Sequence, residues 1–91
     1  MAAVTVRIQG RVQGVGYRYW VARQARLIGI DGWVRNRRDG SVEAVFAGTD
    51  NALQKMLVAC HKGPTMAQVT RFQETPYDGP VEAGFHMRET G

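Results

Sequence analysis

Residues 3–28 read AVTVRIQGRVQGVGYRYWVARQARLI, and three patterns meet in this one run. In residues 3–9, Val4, Val6 and Ile8 fall on one side and Thr5, Arg7 and Gln9 on the other, the period of a half-buried strand. Gly10, Gly14 and Gly16 then crowd into a short basic loop. From Tyr17 to Ile28 the period changes. Tyr17, Val21, Ala25 and Ile28 share one face of a helix, and Gly29 lies where that helix would stop. The run therefore reads strand, glycine loop, helix.

Reading outward, residues 31–37 (DGWVRNR) look like a second strand and residues 41–47 (SVEAVFA) a third. Asp39-Gly40 between them favours a tight turn, so the two form a hairpin. Gly48-Thr49-Asp50 can cap a second helix, in which Leu53, Met56, Leu57 and Cys60 share a face. Lys55 and Lys62 make its C-terminal half basic, which suits the helix dipole, and Gly63-Pro64 ends it. Residues 66–74 (MAQVTRFQE) read as a strand, but Val69 and Phe72 can share a face only across a bulge. Pro76 and Asp78-Gly79-Pro80 mark a loop. Residues 82–88 (EAGFHMR) alternate again, with Ala83, Phe85 and Met87 expected inward. The order is βαββαβ with a short extra C-terminal strand. It predicts a ferredoxin-like α+β sandwich, with two helices on one face of an antiparallel sheet. That fold hosts many activities and names none of them.

The 91 residues suit one free-standing domain with a modest core. No apolar run approaches the length of a membrane span, and the N-terminus alternates rather than forming a signal-peptide block. A cytoplasmic protein that binds no membrane is the expectation, and nothing in the chain demands more than a monomer. Cys60 is the one cysteine, so no internal disulfide can form, and no metal-ligand spacing surrounds it. Twelve basic and eight acidic residues give a net charge of +4. Either an anionic partner or a generally basic surface accounts for that charge.

The glycine loop sharpens the first alternative. N–H groups at a helix N-terminus lack intrahelical partners and carry the positive end of the dipole. Glycines allow successive N–H groups to converge on one anion. Arg18, in the first helical turn, can add a planar fork suited to phosphate. The loop has no G-K-[ST], so it is not a nucleotide P-loop, and Gly10, Gly14 and Gly16 do not fit G-x-G-x-x-G. A single phosphate group is the better match. Taken alone, the loop could equally be a tight turn beside a solvated arginine.

Two longer patterns bear on that choice. Gly10 to Arg18, GRVQGVGYR, fits G-x-V-Q-G-V-[GF]-[FY]-R. Gly32-Trp33-Val34-Arg35-Asn36, three variable residues, Gly40-Ser41-Val42 and Gly48 fit a second pattern at the expected separation. In both, the chain closely resembles the acylphosphatase family. The resemblance implies a cofactor-free, metal-free hydrolase that cleaves a small acyl phosphate to a carboxylate and inorganic phosphate, the phosphate being both product and inhibitor. It implies that Arg11, Val12, Gln13, Gly14, Val15 and Gly16 cradle the phosphate through backbone N–H groups. Arg18 would hold the phosphoryl oxygens and Asn36 would orient the attacking water. Family members often carry Phe at position 17, where this chain has Tyr17.

Such chemistry needs no general acid. The leaving carboxylate has a conjugate-acid pKa of roughly 4 to 5 and departs unaided. Phosphoryl transfer passes through a loose transition state, so positioning and preorganised positive charge dominate. Asn36 is no base, but its side-chain carbonyl can accept from a water and fix it for in-line attack. Without the resemblance, Asn36 reads as a turn residue before Asp39-Gly40.

Other residues invite plainer readings. His61 and His86 suit surface positions, Cys60 a buried thiol, and Trp20 and Trp33 packing. Arg23, Arg26, Arg35, Arg37 and Arg38 suit solvated faces. Two rival functions share parts of this pattern. An RNA-binding module shares this element order, but the third strand, SVEAVFAG, lacks the K/R-G-F/Y-G/A-F-V-x-F/Y pattern, so no nucleic-acid partner is expected. A phosphate sensor would bind without turnover, and the pairing of Arg18 with Asn36 argues against it.

Overall fold

The computed structural model describes residues 2–91. Strand β1 (Ala2–Arg11) leads through the glycine loop into helix α1 (Tyr17–Ile28). The hairpin of β2 (Asp31–Asn36) and β3 (Val42–Gly48) follows, then α2 (Asp50–Lys62), β4 (Gln68–Pro76) and β5 (Phe85–Met87). The sheet order is β4-β1-β3-β2-β5. Each helix thus connects two strands that lie either side of a third, the split arrangement expected of the element order.

Alternation decides which face the helices cover. Val6 and Ile8 of β1, Val34 of β2, and Val42, Ala44 and Phe46 of β3 are all buried. Register places Ala44 between Val6 and Val34. Against them pack Tyr17, Val21, Ala22 and Ala25 from α1 and Leu53, Met56 and Cys60 from α2. Leu57, on the same face of α2, is only half-buried. The opposite face is polar: Arg7 lies beside Glu43, and Glu43 beside Arg35.

The helix ends follow from their residues. At the close of α1, Gly29 takes φ +92°, and the N–H groups of Gly29 and Ile30 both donate to the Ala25 carbonyl. The start of α2 is capped by Thr49, whose hydroxyl accepts from the Ala52 N–H at 3.1 Å, with Asp50 in the first turn. Among the described residues, no helix is long and apolar enough to cross a membrane.

The bulge expected around Val69 and Phe72 is present. Gln9 pairs with Arg71 and Gly10 with Val69, so Thr70 has no opposite number on β1. The extra residue brings Val69 and Phe72 to the same side, where both pack on the core. The C-terminal strand differs from expectation. It spans only Phe85–Met87, and it joins β2 in parallel, which makes the sheet mixed. Ala83 is exposed rather than inward, because Gly84 adopts φ +82° and breaks the alternation. Phe85 anchors the strand by stacking on Phe46, ring centroids 5.8 Å apart.

Candidate functional site

Helix α1 begins very differently from α2. Its N-cap is Gly16, at φ +77°, with no side-chain cap and no acidic residue in the first turn. Gly14, at φ +73°, is also left-handed. Adding a Cβ at either glycine would meet nothing within 4 Å, so both glycines serve backbone conformation rather than close packing. The result is a bare helix N-terminus approached by a glycine loop, the local geometry that receives anions.

A cleft of about 200 Å3 opens there. It is lined by Val12, Gln13, Gly14, Gly16, Arg18 and Asn36, with Tyr17 and Tyr19 completing the wall. Arg18 arrives from the first turn of α1, and Asn36 from the last position of β2. Arg11 and Val15 do not line it. Arg11 ends β1 opposite Gln68, and Val15 packs on the core.

Two atoms in this cleft stand out chemically. Arg18 Nε and Asn36 Oδ1 are buried, yet neither has a hydrogen-bond partner. They are the buried side-chain nitrogen and oxygen atoms without a partner among the described residues. Leaving such groups unpaired is unfavourable by about 1–3 kcal/mol each, and both belong to side chains that line the same cleft. One is a donor and the other an acceptor, which suits an anion with a water beside it. A larger hollow of about 320 Å3 lies on the helix-free face, near Thr5, Arg7, Glu43 and Gln73. It contains no comparable orphaned atom.

The rest of Arg18 is held loosely. Its Nη1 donates to the Arg88 carbonyl at 3.3 Å, and its guanidinium lies 5.6 Å from the centre of the Tyr19 ring. Tyr19 is 64% exposed and forms a flat apolar edge at the mouth of the cleft.

Asn36 is held firmly by its neighbours. Its carbonyl accepts from the Gly91 N–H at 3.1 Å. Arg35 and Arg37, on either side of it, both reach Glu43 Oε1, at 2.9 and 3.2 Å. These two arginines are therefore paired across the polar face rather than freely solvated. The Arg37 N–H donates to the Ser41 carbonyl at 2.8 Å, closing the turn, and Gly40 takes φ +93° within it. Asp39 Oδ1 accepts from the Ser41 hydroxyl at 2.6 Å and from its N–H at 2.9 Å. These bonds hold the Asp39 carboxyl below its ordinary value, with Arg7 and Arg37 adding to the effect.

Sequence reading missed the side chain of Gln13. Its Nε2 donates to the Arg37 carbonyl at 2.8 Å and to the Ser41 carbonyl at 2.7 Å. It also missed Glu43 as the hub of three arginines, the third being Arg7 at 3.8 Å. The one available signal for the second was the hairpin, which sets Arg35 opposite Glu43. The remaining candidates lie away from the cleft. Cys60 is fully buried, His61 is exposed and rests on Phe72, and His86 is exposed on β5. Trp20 packs on the core, whereas Trp33 lies on the opposite face with the guanidiniums of Arg35 and Arg88 5.2 and 4.7 Å from its ring centre.

The acylphosphatase family model matches residues 4–87, nearly the whole chain. The chain belongs to the acylphosphatase family. It is 47% identical to an acylphosphatase of Acidiphilium cryptum over 91 residues, covering 100% of both chains. It is also 47% identical to one from Rhodospirillum rubrum over 88 residues, covering 97% of each. The crystal structure of acylphosphatase from Bacillus subtilis superimposes with a TM-score of 0.91 at 36% identity, covering 97% of this chain and 99% of that one. The matched residues include the glycine loop, Arg18 and Asn36.

Proposed function

We propose that the protein hydrolyses the carboxyl–phosphate bond of small acyl phosphates, acting as a single domain. The observation that carries this reading is that Arg18 and Asn36, which line one cleft at a bare helix N-terminus, each hold a buried polar atom, Nε and Oδ1, without a hydrogen-bond partner. The substrate's phosphoryl group sits in the loop from Val12 to Gly16, where backbone N–H groups and the dipole of α1 meet its charge. Arg18 holds its oxygens with a fixed planar donor array and stabilises charge as the transition state forms.

Asn36 accepts a hydrogen bond from the attacking water and so aims an oxygen lone pair at phosphorus, in line with the leaving carboxylate. The water oxygen bonds to phosphorus as the phosphorus–acyl oxygen bond breaks. The electron pair of that bond leaves with the carboxylate, and the water's proton passes to a phosphate oxygen. No protonated leaving group is required, because a carboxylate is stable at neutral pH. An alkyl phosphate would expel an alkoxide and has no acid here to protonate it.

The test is hydrolysis of benzoyl phosphate by purified protein in EDTA, beside p-nitrophenyl phosphate. Rapid cleavage of the first alone, inhibited by inorganic phosphate, is the expected result. Phosphate binding with no cleavage of either compound would move the assignment to a phosphate sensor.

A further inference from the structure

The two halves of the site come from separate parts of the chain. The cradle follows β1, whereas Asn36 stands at the start of the β2–β3 turn. Their strands are not continuously bonded near the site. Pairing between β1 and β3 runs from Ala2 opposite Gly48 to Ile8 opposite Val42, and goes no further. Beyond Ile8, β1 continues against β4 alone. Among the described residues, the only side-chain hydrogen bonds from loop 12–16 to the 36–41 turn are the two made by Gln13.

Those bonds have a defined chemistry. Both partners are main-chain carbonyls, which only accept, so the amide nitrogen must face them and both of its hydrogens are used. One bond falls on Arg37, directly after Asn36. The other falls on Ser41, whose carbonyl also receives the Arg37 N–H. Gln13 therefore grips both ends of the turn that carries Asn36.

We propose that Gln13 is a positioning residue: its side-chain amide, bridging the carbonyls of Arg37 and Ser41, fixes the distance between the phosphate cradle and the Asn36-bound water. The inference rests on the reading of Asn36 given above and adds a cause for its alignment. Glu43 steadies the same turn from the opposite face through Arg35 and Arg37, but it makes no bond to the cradle. A turn held by Glu43 alone keeps its shape and can still drift relative to the bound phosphate. Misplacing a reacting atom by about 1 Å can lower a rate by on the order of a hundredfold.

The experiment is a double-mutant cycle on benzoyl phosphate hydrolysis, with inorganic phosphate as competitive inhibitor. Gln13→Met keeps length and loses both donors. It should lower kcat by on the order of ten- to a hundredfold, while the phosphate inhibition constant stays near the native value. On an Asn36→Ala background the same change should have no further effect, because the group it aligns is gone. If Asn36→Ala is fully active, the water-holding assignment fails and the Gln13 proposal with it. If Asn36→Ala is crippled but Gln13→Met is not, or if the two losses multiply, the Gln13 proposal alone fails.

A second variant guards against a folding defect in the first. Gln13→Glu preserves size, and its carboxyl can donate only when protonated. Its kcat relative to the native enzyme at the same pH should rise as pH falls through the carboxyl range. A ratio independent of pH would overturn the donor role.

Discussion

The hydroxyl of Tyr17 donates to the main-chain carbonyl of Cys60, 2.7 Å away in the core. That carbonyl lies four residues before Pro64, which has no N–H to complete the helical bond. A side chain of α1 thus satisfies a main-chain acceptor that the end of α2 leaves open. Tyr17 also packs beside Gly63, where a Cβ would come within 3.2 Å of its ring. Replacing Tyr17 with Phe keeps this packing and removes the hydrogen bond. The expected loss is about 1–3 kcal/mol, because a buried acceptor is left unpaired. Urea unfolding of the native and Tyr17→Phe proteins measures it directly, and equal midpoints would mean that water reaches the Cys60 carbonyl.

Alkaline pH should weaken the fold through the same two residues. Burial raises the Cys60 thiol from 9.0 to about 12. Burial also raises the Tyr17 hydroxyl, with the neighbouring Cys60 adding to the shift. Both groups hold their protons in the folded chain after the unfolded chain has released them. Stability from this source is complete below about pH 9 and declines between about pH 9 and 12. The slope is up to about 1.4 kcal/mol per pH unit for each group. Unfolding free energies measured at intervals across that range should fall, and Cys60→Ala should flatten part of the decline.

Arg18 and Asn36 should separate binding from turnover. Arg18→Gln removes the charged fork and is expected to lose phosphate binding and hydrolysis together. Asn36→Ala leaves the glycine loop and Arg18 intact. It should retain most phosphate affinity while losing turnover by about a hundredfold, the scale of a misplaced reactant. Phosphate titration by calorimetry beside steady-state kinetics distinguishes the two patterns.

Two glycines should respond in opposite ways to alanine. Gly32, at φ +136°, sits where a Cβ would come within 1.9 Å of the Val45 carbonyl oxygen. Gly32→Ala must push β2 from β3 and should lose about 3 kcal/mol or more. Gly16 has open space around it and carries only the left-handed penalty of about 1–2 kcal/mol. Gly16→Ala should instead disturb the cradle, so activity should fall more than stability. Thermal unfolding and benzoyl phosphate turnover, measured on both variants, test the contrast.

The legible parts of this chain were those whose signals are local. Val4, Val6 and Ile8 alternate over a full strand, and Tyr17 to Ile28 hold a helical period long enough to outweigh Trp20 and Arg18 within it. The bulge was legible because Val69 and Phe72 conflict with a two-residue period. The last strand was legible in its existence, from the alternation of Phe85 and Met87, but not in its extent or its pairing. Gly84 cuts it to three residues, and its place depends on Phe85 finding Phe46 from 39 positions away. The Gln13 bridge was hidden for the same reason, spanning 24 and 28 positions with no local signature. Glycine spacing marked the loop, but only folding brings Asn36 to the same cleft.

Strand β4 is an edge of the sheet, nine residues long and mostly exposed. Long exposed edges offer unpaired main-chain groups to any passing strand. The unpaired Thr70 interrupts the regular spacing of those groups, Arg71 and Glu74 add charge along the strand, and Pro76 removes an N–H at its end. The bulge that lets Val69 and Phe72 share the core face across three positions thus also spoils β4 as a template for edge-to-edge aggregation. Deleting Thr70 would bring the two side chains to a regular two-residue spacing, keep both on the core face and leave a smoother, less protected edge.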